Sequence, residues 1–145
     1  MSIEAANCGI YHCRSKIPEY ERQIRSLQDK IYELEVLNKR YQEIRREFIS
    51  RNQASKDSLR GAGVMSNPLQ IVRAYYDGMQ SMLNGGRFYQ TVDGFSEAQR
   101  KIWRQTEEYE HQIQRLKNQI YSCEREIRNY NLEIIRCQEE QRNEQ

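Results

Sequence analysis

The sequence predicts an all-α protein, a long antiparallel two-helix coiled-coil hairpin with an interrupted first arm. Three observations lead there. Charged residues make up 30% of the 145 and apolar ones 37%, which is too polar for an ordinary globular core yet too regularly patterned for disorder. From Phe88 onward a seam residue recurs at alternating steps of four and three, the stripe of a coiled-coil surface. The glycine and proline clusters fall where they divide the chain into two helical stretches of similar reach.

Residues 1–16, with Cys8, His12 and Cys13, read as a tail, and helix 1 as 17–59. Pro18 suits a first helical turn, with Ser15 as its cap and Glu19 and Glu21 near the positive end of the dipole. Apolar side chains fall at Ile17, Tyr20, Ile24, Leu27, Ile31, Leu34, Tyr41, Ile44 and Phe48, while Leu37 and Asn38 straddle one seam position. Two glycines, Asn67 and Pro68 mark a loop over 60–68. A short apolar helix follows over 69–83, and a turn over 84–87 built on Leu83, Asn84, Gly85 and Gly86.

Helix 2, over 88–143, is the more regular element. Its seam runs Phe88, Val92, Phe95, Gln99, Ile102, Thr106, Tyr109, Ile113, Leu116, Ile120, Cys123, Ile127, Tyr130, Ile134 and Cys137. The two cysteines on it need no chemistry, because small buried sulfur side chains pack as apolar groups. No CxxC pair occurs, and all four cysteines are expected reduced in a cytosolic chain. Gly94 lies off the stripe and costs about 1 kcal/mol of helix stability relative to alanine.

Several function classes find little footing. His12 and His111 belong to no triad or metal-ligand spacing, and no phosphate-loop pattern follows Gly85 and Gly86, so neither enzyme nor cofactor is expected. The formal charge is +2, from 23 basic and 21 acidic residues, which gives nucleic-acid binding weak support. The mild basic cluster Arg45, Arg46, Arg51, Lys56 and Arg60 reads as solvated surface. No apolar run is long enough to cross a membrane. The start lacks a leader's apolar stretch, so a cytoplasmic chain is expected, exported if at all without a signal peptide.

The aromatics point to a protein partner. Ten tyrosines and one tryptophan are many for so polar a chain, and the seam accounts for Tyr20, Tyr41, Tyr109 and Tyr130. Tyr32, Val36, Trp103, Tyr121, Leu132 and Ile135 lie off it, where tyrosine and tryptophan commonly anchor contacts. Tyr75, Tyr76, Met79, Met82 and Leu83 add an adaptable methionine-bearing tip.

Two antiparallel helices joined at "MLNGGRFYQTVDGF" resemble the WXG superfamily of type VII secretion proteins, in its longer YwqH-like branch. Leu83-Asn84-Gly85 stands where that family carries Trp-x-Gly, with leucine in the place of tryptophan. Tyr89 and Asp93 have the spacing of the family's Tyr-x-x-x-Asp/Glu export signal, at the start of helix 2 rather than after it. The resemblance implies a small non-enzymatic partner of LXG-type toxins in Gram-positive bacteria. Such a partner binds the toxin's helical N-terminal domain, alone or beside a second small helical partner, and helps deliver it to the secretion machine. A self-associating structural coiled coil is the alternative reading, and a nucleic-acid-binding hairpin a third.

Overall fold

The structure is a computed structural model that describes residues 2–65 and 70–145, without the side chains of 61–65, 70–74 and 76. The described chain is helical almost throughout: α1 (Ile3–Met65), α2 (Gln70–Asn84) and α3 (Gly86–Asn143). Its fold is the all-α helical hairpin the pattern predicts. By internal packing it divides into two units, one joining residues up to Tyr32 with Thr106–Gln145, the other Glu33–Gln105.

In the first unit α1 and α3 pair antiparallel. Gly9 meets Tyr130, Cys13 meets Glu126, and Lys30 sits over the Tyr109 ring, so rising numbers on α1 face falling numbers on α3. Ile24, Leu27 and Ile113 form the buried centre, with Ile31, Tyr109, Leu116 and Ile120 packed around them. Burying one such aliphatic side chain contributes about 1.5–3 kcal/mol. A narrow seam of this kind holds two helices whose outer faces stay polar.

The predicted tail is instead the first four turns of α1. Ser2 caps the helix: its Oγ accepts from the Ala5 N–H at 3.1 Å and its carbonyl from the Ala6 N–H at 3.1 Å. Ala6, Ile10 and Cys13 are buried because Ile3, Ala6, Ile10, Cys13 and Ile17 carry the same three–four steps back to the start. Ser15 is therefore no cap, and its hydroxyl donates to the His12 carbonyl at 2.7 Å. Pro18 lies inside the helix, on its exposed side, where its missing N–H leaves the Arg14 carbonyl without the usual partner.

In the second unit aromatic rings replace aliphatic layers. Phe48 stacks on Phe88 with centroids 5.5 Å apart, and Phe95 meets Phe48 at 6.1 Å and Tyr41 at 6.3 Å. Asn52 Nδ2 donates to the Leu83 carbonyl at 3.3 Å. Leu83 and Phe88 thus lie against neighbouring turns of α1 on either side of the diglycine. Gly85 and Gly86 accordingly join two segments of the returning arm and are not the hairpin's reversal. α2 belongs to that arm, and the interruption predicted for the first arm falls on the second. The predicted loop over 60–68 is helical through Met65, and its remaining residues lie outside those described.

Gly85 has a local reason. A Cβ there would collide with the Ser81 carbonyl oxygen, while the Gly85 carbonyl accepts from the Phe88 N–H at 3.2 Å to open α3. The Asn84 amide donates back to the Gln80 carbonyl at 3.0 Å, satisfying one of the acceptors that the end of α2 leaves over.

Candidate partner-binding surface

Sequence and structure agree on a heptad frame in which α1 places Ile10, Ile24 and Ile31 at a and Cys13, Tyr20 and Leu27 at d. On α3, Ile113 and Cys123 are buried. Phe88, Val92, Phe95, Ile102, Tyr109, Leu116, Ile120, Ile127, Tyr130 and Ile134 are half-buried. In an antiparallel pair the e and b positions of both helices fall to one side of the seam and the g and c positions to the other.

Among the described residues of α1 and α3, the exposed aromatics fall on one of those sides. In the first unit Tyr11 and Tyr32 occupy b of α1, and Tyr121 occupies b of α3. All three are exposed, and Ile135, also at b, joins them. Arg128 lies one heptad on, 6.0 Å from the Tyr121 ring centroid. In the second unit Tyr89 and Trp103 take e of α3, and Ile49 takes e of α1; these too are exposed. Each unit taken by itself therefore has an aromatic e/b side.

The opposite side of the first unit is polar. There a groove of about 550 Å³ is lined by Gln23, Ser26, Lys30, Gln112, Arg115 and Gln119, with Tyr20, Leu27 and Leu116 at its floor. In the second unit a more apolar groove of about 570 Å³ opens beside the diglycine, lined by Phe48, Asn52, Met82, Arg87, Phe88 and Thr91 among others. Met82 and Tyr75 are 67% exposed, whereas Met79 and Leu83 are half-buried. The Tyr76 side chain lies outside those described.

Periodicity mispredicted part of α1. Where the pattern offers both Leu37 and Asn38, the structure turns Asn38 inward and leaves Leu37 41% exposed; Arg45 likewise takes the inner place and Ile44 is 43% exposed. The strict heptad set further back by Ile24, Leu27 and Ile31 wins, so polar Asn38, Arg45 and Asn52 occupy three successive a positions. Asn52 finds the Leu83 carbonyl; the Arg45 Nε is buried without a hydrogen-bond partner.

Two exposed aromatics of this side are hidden in the sequence pattern: Tyr11 falls in the expected tail and Tyr89 in a signal-like spacing, although both sit at b or e in the frame the seam defines. Among the described residues no three His, Cys, Asp or Glu side chains gather as metal ligands, and no helix is long and apolar enough to cross a membrane. Comparison with family models, curated proteins and solved structures returned no match.

Proposed function

We propose that this protein is a non-enzymatic helical adaptor that binds the helical N-terminal domain of an LXG-type toxin and escorts it to type VII secretion. The observation that carries the reading is the one-sided display of Tyr11, Tyr32 and Tyr121 in the first unit and of Tyr89 and Trp103 in the second. Large amphipathic rings held on rigid helices contribute contact area at low entropic cost, and an amphipathic helix is their natural complement. Met82, beside the diglycine, and Tyr75, further back on α2, add exposed apolar surface.

Co-expression with the N-terminal domain of a toxin encoded beside this chain tests the reading. A complex that co-purifies, and that Trp103→Ala and Tyr121→Ala weaken, supports it. A toxin domain that stays soluble alone and never co-purifies overturns it.

A second reading, self-association as a structural coiled coil, draws on Leu37 and Ile44. They stand seven residues apart on one face of α1, exposed beside the seam. Light scattering of the isolated chain separates the two: a tight dimer abolished by Leu37→Ser with Ile44→Ser supports self-association, and a monomer supports the adaptor.

A further inference from the structure

Cys13 from α1 and Cys123 from α3 are both buried at d positions of the first unit, 3% and 8% exposed. The Cys13 Sγ donates to Glu126 Oε2 at 3.1 Å, and Cys123 is close enough to act on the same thiol. Both cysteines line one cleft of about 300 Å³, with Lys16, Ser122 and Glu126 at its rim. A small reagent therefore has a route to the sulfurs.

A disulfide needs Cα atoms about 4.4–6.8 Å apart, which between two helices demands small side chains nearby. The sequence supplies them one and two turns away. Ala6 is buried, and Gly9 has the Tyr130 ring in the space a side chain would fill.

We propose that Cys13 and Cys123 are a latent interhelical disulfide, closed by exchange with a low-molecular-weight disulfide such as oxidised glutathione. One cysteine thiolate attacks a glutathione sulfur and releases one reduced glutathione, leaving a mixed disulfide. The other cysteine thiolate then attacks the protein-side sulfur and releases the second. Two protein thiols lose two electrons and two protons, and one small disulfide becomes two thiols. Burial and the Glu126 carboxylate push the Cys13 thiol up to about 11, so closure is slow near neutrality and accelerates as pH rises. Once closed, the bridge ties the amino-terminal turns of α1 to α3.

The test uses the full chain carrying Cys8→Ser and Cys137→Ser, equilibrated with oxidised glutathione, quenched in acid, unfolded and alkylated. Support is a monomer about 2 Da lighter than the reduced chain with no alkylation, and an apparent Tm raised by about 5 °C or more. Adding Cys13→Ser or Cys123→Ser must each abolish that product, and peptide mapping of the unsubstituted chain must return the same linkage. Stable glutathione adducts, disulfide-linked dimers, linkage through Cys8 or Cys137, or full alkylation of both cysteines at equilibrium would each overturn it.

Discussion

The ring of Tyr130 lies against the backbone of Gly9, filling the space that any side chain at residue 9 would need. Gly9 is helical, and alanine there would gain about 0.5–1 kcal/mol of helix propensity. Displacing a packed ring costs more, about 1–3 kcal/mol. Gly9→Ala is therefore expected to destabilise the protein, by about 1 kcal/mol or more, in urea unfolding. A neutral or stabilising result would show that Tyr130 does not rest there.

Gly85 and Gly94 should respond in opposite directions. A Cβ at Gly85 meets the Ser81 carbonyl oxygen, whereas one at Gly94 meets nothing within 4 Å. Gly94→Ala is expected to stabilise by about 0.5–1 kcal/mol. Gly85→Ala is expected to destabilise, because the backbone at the α2–α3 junction must shift to admit it. Denaturation midpoints of the two variants, measured side by side, decide the matter.

Arg45 gives a third test. Its Nε is buried without a partner, and such a group costs about 1–3 kcal/mol. Arg45→Leu should raise stability by about 1 kcal/mol or more. Asn52→Leu should not, since it removes the donor that satisfies the Leu83 carbonyl. Equal effects from the two substitutions would mean that the polar a positions are equivalent.

Cys13 links stability to alkaline pH. Its thiol is raised from 9.0 to about 11, first by burial and then by Glu126. Below pH 9.0 both states keep the proton and the contribution is complete. As pH rises the unfolded chain releases this proton first, so stability falls until the folded thiol also ionises near pH 11. Cys13→Ala should flatten that part of the curve relative to the parent chain, while other groups titrate equally in both.

Much of this fold was legible because α3 keeps an unbroken alternation from Phe88 to Cys137, and one seam of that length requires a partner helix. The start of α1 was misread because Pro18 outweighed Ile3, Ala6, Ile10 and Cys13, which continue the stripe through it. Proline's cost is local, whereas four seam residues and the Ser2 cap act together. The diglycine misled for a related reason: a break in helical propensity marks an interruption, and only contacts such as Asn52 with Leu83 reveal which arm is interrupted. Among the exposed aromatics, Tyr32, Trp103 and Tyr121 are legible as soon as the seam is drawn. The inward turn of Asn38 and Arg45 did not, because two apolar neighbours competed for those places and geometry from elsewhere on the helix settled the choice.

Trp103 is the chain's one tryptophan, and it is 63% exposed. Its indole is already bathed in water in the folded state, so its emission maximum is expected to move little when the protein is denatured. Docking of another helix over it would shift that emission to shorter wavelength. The molecule thus carries a built-in optical reporter that is nearly silent to its own folding and sensitive to company.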